Sequence, residues 1–193
     1  MSAVFDAKKR AVFVSGIIED QMAELITAQL LFLEAEDPGK GIAMYINSPG
    51  GRVTAGLALY DTMRFLRPPI STCCTGQAAA MASLLLCAGR AGMRRSLPNA
   101  LITVQQAYVA RRPLPPSLVA LQDAAFQRRK RERDAEALVK TNRRIWEIYA
   151  KHTGRPIECI ECRSMTPEQA KASGFIDEIA AVKAAAIHSG QAS

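Results

Sequence analysis

"TGQAAAMASLLL", residues 75–86, is the stretch on which the fold turns. Before it, the β-branched run Ile70–Thr75 reads as a strand; after Gly76, the small-residue text Ala78–Ala88 reads as a helix. A strand that runs through a glycine straight into a helix is where α/β folds display a nucleophile, because amide groups at the helix start converge there. The residue at that junction is Ala80. Alanine has no hydroxyl to offer, so the text has the outline of a catalytic elbow without its reacting atom.

The same strand–turn–helix pattern repeats on both sides. Arg10–Ser15 reads as a strand, and Glu19–Ala35 carries apolar residues at a helical period (Met22, Leu25, Ile26, Leu30, Leu33). "IAMYINSPGG" is a buried strand, Ile42–Asn47, broken at Ser48–Gly51. Val53–Leu66 is an amphipathic helix stopped by Pro68-Pro69. Leu101–Gln105 is a further strand after the Pro98-Asn99 turn. Repeats of this kind predict parallel strands with right-handed crossovers, an α/β layered domain. Pro167–Ser173 reads as a short helix capped by Gly174, with Phe175–Val182 as a final strand or strand–helix joint.

The region between differs. From Met93 to Thr153 there is no glycine, and residues 111–144 hold ten Lys or Arg against four Asp or Glu, most of the chain's net charge of +7. Ala135, Leu138, Asn142, Ile145 and Tyr149 form a narrow seam on an otherwise charged helix, which is expected to project and pair with another surface.

With 49% apolar and 22% charged residues the chain is globular rather than disordered. No apolar run is long enough to span a membrane and the start lacks an apolar leader, so a soluble protein is expected. The five cysteines do not make a disulfide framework. Three lie in apolar text as small hydrophobes, which favours a reducing compartment. Cys159-x-x-Cys162 lacks a second pair for a metal site, so no metal or cofactor is expected.

Two loops bear on chemistry. "NSPGG" offers glycine amides with no side chain in the way, and "GQAAAM" offers amides at a helix start. Together they outline an oxyanion hole, although tight turns alone also call for glycine. Here the blocks "YINSPGG…TAGLALYDTM", "GQAAAMASLLLCAGRAGMRRSLPN", "IYAKHTG" and "TPEQAKASGFIDEI" resemble the proteolytic subunit (ClpP) family of the Clp protease. The likeness runs over residues 10–106 and resumes from about 135 to 182.

The resemblance implies a crotonase-like core of stacked β-β-α turns with a projecting handle helix. It also implies heptameric rings stacked into a tetradecamer, catalytically active partner subunits, and an ATP-driven AAA+ unfoldase. The location implied is cytoplasm or an organelle matrix or stroma. One domain over 1–193 follows, divided into an arm (1–9), core (10–106), handle region with an insertion (107–152), the rest of the core (153–182) and a tail (183–193). The arm is too short for the family's pore-lining loop, and the insertion with its Pro113–Pro116 turn should perturb ring stacking.

The family's Ser-His-Asp triad carries over at none of its positions. Ala80 stands for the serine of "GQAASM" and Gln105 for the histidine of "MIHQP"; the segment of the aspartate, here "IECIECRSM", is shortened and has no Asp. The oxyanion donors map onto Gly51 and Met81. The chain therefore looks like a triad-less ClpR-type member, a pseudoprotease subunit. Ser83 reads as a helix-packing serine, Ser48 as a turn residue, and His152 and His188 as poor bases for this site. An active peptidase with another nucleophile, a basic nucleic-acid-binding protein and an acyl-CoA enzyme of the crotonase fold are the rival readings.

Overall fold

The computed structural model describes residues 5–107 and 124–181. The Pro-rich turn at 113–116, the rest of the insertion after residue 107, the tail at 183–193 and His188 lie outside them.

β1 (Phe5–Asp6) lies antiparallel to β2 (Ala11–Ser15), which runs parallel to β3 (Ile42–Ser48) and then β4 (Ile70–Ala79). The crossovers are α1 (Asp20–Glu36) and α2 (Val53–Phe65). Their inner faces pack Ile26, Leu30 and Leu33, and Leu59 and Met63, against the sheet. Val12, Val14, Met44 and Ile46 meet them from the strands, at the alternate positions that a pleated strand turns to one side.

β4 serves two branches of one eight-stranded sheet. Thr72–Cys74 pairs β5 (Arg94–Ser96), while Gln77–Ala79 pairs β6 (Leu101–Thr103). Between these halves the register with β3 slips, so that Cys74 faces Ile46 but Ala78 faces Ser48. The Asn47 side chain holds the slip, its Oδ1 accepting the Gln77 N–H at 3.2 Å. A Cβ on Gly76 would lie 2.7 Å from that oxygen, so a larger residue there would push the Asn47 amide off this bond. β5 continues to β8 (Glu178–Ile179), and β6 to the antiparallel β7 (Ser164–Met165). This bent, branching sheet with helices on it is the crotonase-like β-β-α superhelix expected from the sequence.

Three expectations need correction. Ala78 and Ala79 belong to β4, not to the following helix, because their backbone is claimed by β6; α3 is Met81–Cys87, buried at every position. Among the described residues of the segment read as a final strand or strand–helix joint, 175–181, the strand is Glu178–Ile179. The charged helix, α4 (Ala124–Thr153), does not project along its whole length: Ile145, Ile148 and Tyr149 are core residues. The Tyr149 ring packs 5.5 Å from Phe175 and 5.8 Å from Trp146, while Val139, 68% exposed, faces outward. The seam is thus internal at Ile145 and Tyr149 because α4 covers α3 there.

α4 ends on a pH-sensitive contact. The His152 Nε2 lies 3.2 Å from the Tyr60 hydroxyl of α2, and the two rings meet edge to face. Burial first, then Arg64, Lys151 and Arg94, holds the imidazole's pKa down from 6.5 to about 4, so the ring stays neutral beside the phenol, and its tautomer sets which of the two donates. A depressed folded pKa gives stability that is present in full above 6.5 and lost as pH falls towards about 4. For a half-buried ring, with solvent screening allowed for, about 1 kcal/mol is expected over that interval. Urea midpoints between pH 7 and 4 should show it, and the His152→Gln variant should lose that part of the pH dependence.

Candidate functional site

The elbow survives in the backbone. Ala80, between β4 and α3, has φ 48° and ψ −118°, a conformation that L-residues avoid. Holding a non-glycine residue there costs about 1–3 kcal/mol, so the surroundings must impose it. They do so from three elements. The Ala80 N–H donates to the Thr103 carbonyl of β6 at 2.9 Å. The Ala80 carbonyl accepts the Ser83 and Leu84 N–H groups. It also lies 2.8 Å from Ser83 Oγ and 3.0 Å from the Tyr149 hydroxyl, donated from α4.

Ser83 and Tyr149 form a closed network under the elbow. Ser83 Oγ is 2.7 Å from the Tyr149 hydroxyl and 3.0 Å from the Thr103 carbonyl, and neither residue reaches solvent. Their two protons are shared among the Ala80 carbonyl, the Thr103 carbonyl and Ser83 Oγ itself. Burial, followed by the Cys87 thiol, pushes the Tyr149 pKa up; the Cys162 thiol acts in the same direction. Ser83 is therefore a structural donor facing away from the cleft. The Tyr149→Phe variant should lose about 1–2 kcal/mol of stability, since Ser83 keeps Thr103 as a partner but the Ala80 carbonyl loses a donor. Denaturant titration checks this, and a loss below about 0.5 kcal/mol would contradict the clamp.

The second loop closes on the elbow from the other side. Ser48 is buried, and its Oγ accepts the Gly50 N–H at 3.0 Å, so it is a turn residue. Gly50 has φ 91°, and a Cβ there would stand 2.6 Å from the Ala79 carbonyl oxygen. Gly51 pairs with Ile18, whose N–H donates to the Gly50 carbonyl and whose carbonyl accepts the Arg52 N–H, both at 2.8 Å. Any Cβ at Gly51 would overlap the Ile18 backbone. Gly56 in α2 makes a like approach to Met81.

Between the loops lies a cavity of about 560 Å³ that brings together Gly51, Ala80, Met81, Gln105 and Ile145. Among the described residues neither the Gly51 nor the Met81 N–H has an acceptor. Two unspent amide donors beside an elbow are the elements of an oxyanion hole. Gln105, exposed, follows β6 at the rim, and its amide cannot take a proton at neutral pH.

Other residues fall elsewhere. His152 is engaged with Tyr60 and does not line the cavity. Asn142 fixes the cavity's edge: its Oδ1 accepts the Ala107 N–H at 2.8 Å and its Nδ2 donates to the Ala107 carbonyl at 3.2 Å. Ala135 is exposed and Leu138 half-buried. Sequence reasoning missed Glu19, an exposed carboxylate that lines the cavity from the start of α1. It also missed the elbow-holding role of Tyr149 and the rim-holding role of Asn142, both of which had been placed on the outward seam.

A crotonase-like layered sheet with two amide donors beside a strand–helix elbow frames this cavity. The Clp protease family model matches residues 3–183, and the chain belongs to the Clp protease family. Among the described residues no helix is long and apolar enough to cross a membrane.

Proposed function

We propose that this chain is a non-catalytic subunit of an ATP-dependent Clp-type serine protease core, of the triad-less ClpR kind. In that role it contributes to ring assembly and to docking of the AAA+ unfoldase. One observation supports the reading above others: the strained elbow and both free amides are kept, while the position at the elbow is Ala80 and the position of the base is Gln105. Such a site polarises a carbonyl and has nothing to attack it with. Oxyanion contacts and binding alone leave only a small residue of a triad enzyme's rate. On α4 upstream of Asn142, exposed Ala135 and half-buried Leu138 belong to the surface that would stack against another ring.

The test is to assemble the chain alone, and together with a triad-bearing family member, and follow both by native mass spectrometry and fluorogenic peptide turnover. Mixed rings that cut, beside a chain that is silent when pure, are the expected result. Family-like turnover by the pure chain would refute the proposal.

A further inference from the structure

The five thiols divide into two groups. Cys74 and Cys87 are buried, and desolvation pushes them up to about 11 and about 12; Cys73, half-buried, is raised by the same cause. Thiols held protonated in this way are slow in exchange chemistry. Cys159 and Cys162 are both exposed, three positions apart.

They stand on the connector that joins α4 to β7. A single 3-10 turn, Ile157–Cys159, leaves α4, closed by bonds of 3.0 Å from Cys159 N–H to Pro156 and from Ile160 N–H to Ile157. Ile160 then turns extended (φ −99°, ψ 108°) and packs, half-buried, against the core. Next to Cys162, Arg163 is fixed at two points. Its carbonyl accepts the Val104 N–H at 2.9 Å, and its guanidinium donates to Ser173 Oγ at 3.0 Å. Val104 directly precedes Gln105, the residue at the cavity rim.

We propose that Cys159 and Cys162 form a reversible dithiol–disulfide pair, and that its oxidation is transmitted to the cavity wall through Arg163 and Val104. The oxidant is a small-molecule disulfide of the glutathione type. One protein thiolate attacks it, breaking its S–S bond, forming a mixed disulfide and releasing one thiolate. The other protein thiolate attacks the mixed disulfide at the protein sulfur, forming the Cys159–Cys162 bond and releasing the second. Two electrons pass from the protein to the oxidant, and the two protons lost by the cysteines end on the released thiols. A disulfide needs its Cα atoms within about 4.4–6.8 Å, and three residues of 3-10 helix span about 6 Å. Closing the ring therefore favours continuing the turn through Ile160, which draws that side chain off the core and moves the backbone at Arg163.

The full-length protein is incubated with oxidised glutathione, alkylated and digested with trypsin. The peptide 152–163 carries both cysteines and no other, because trypsin spares the Arg155–Pro156 bond. The expected peptide is unalkylated, lighter than the reduced one by two hydrogens and restored by dithiothreitol. With it, amide exchange at Val104 should change by about tenfold. Free alkylated thiols, or glutathione left on either cysteine, would overturn the pair. A disulfide without altered exchange at Val104 would overturn its link to the cavity. The Cys162→Ser variant must abolish both signals, and an exchange change that persisted in it would have another source.

Discussion

The Ala80→Ser/Gln105→His double variant should hydrolyse an activated ester about 10²-fold faster than the unaltered chain, whereas Ala80→Ser alone should change the rate less than about threefold. The elbow backbone is already in its strained conformation, and the Gly51 and Met81 amides are already unspent, so a serine hydroxyl would arrive beside ready donors. Without a base the hydroxyl stays neutral and is a poor nucleophile. With an imidazole at 105 the pair gains a proton acceptor, but no aspartate orients it, which in triads costs about 10⁴-fold. Turnover of a p-nitrophenyl ester by the two variants measures both numbers. A full gain from the single variant would show another base within reach of residue 80, and Glu19 in the cavity wall is the group to replace next.

That prediction rests on features the sequence carried openly. The β-branched runs at Ile42 and Ile70, the Pro68-Pro69 stop and the glycine pair at 50–51 are local signals, and the structure follows them. Local signals failed where long-range pairing decides. "GQAA" has helix-forming composition, yet β6 and Asn47 hold it extended, and nothing within a few residues announces either partner. β5 was missed because "RRS" reads as surface, whereas Arg94 is only 7% exposed and buried on a carboxylate 83 positions away. Tyr149 was assigned to the right helix and face, but a seam on a charged helix reads alike whether it meets another subunit or its own core. The difference lies in α3, which is buried at every position and needs a cover for Ser83 as well as for its apolar side chains.

Breaking the Arg94–Asp177 pair should cost about 3–5 kcal/mol, the largest single-site loss expected in this chain. The guanidinium spends its donors on four residues. Nε donates to Asp177 Oδ2 at 2.9 Å and Nη2 to Oδ1; Nη1 donates to the carbonyls of His152 at 2.8 Å, Gly174 at 2.9 Å and, more weakly, Cys87 at 3.4 Å. The Asp177 Oδ2 also accepts the Arg94 backbone N–H at 3.0 Å. One side chain thus ties the ends of α3, α4 and α5 (Pro167–Ala172) to the last strands. The Arg94→Met variant leaves the Asp177 carboxylate with only the backbone N–H of residue 94 and three carbonyls without their side-chain donor, so β8 should loosen from β5 while the elbow, held separately by Thr103 and Tyr149, keeps its shape. Asp177→Asn should cost less, about 3 kcal/mol, because the carbonyl acceptors remain. The Arg94 hydrogen bonds hold the Asp177 pKa below its ordinary 3.8, so this contribution is present above that pH and is lost as pH falls below it. Asp177→Asn should accordingly flatten the acid limb of stability below 3.8, a range separate from that of His152. Urea titrations of the three proteins at pH 7 and pH 3 test the set. Replacing both members of a buried pair by apolar residues often restores stability. Here an Arg94→Met/Asp177→Leu variant should recover little, because the carbonyls of His152 and Gly174 still lack a donor. Full recovery would mean that those two bonds contribute nothing and that the pair alone carries the loss.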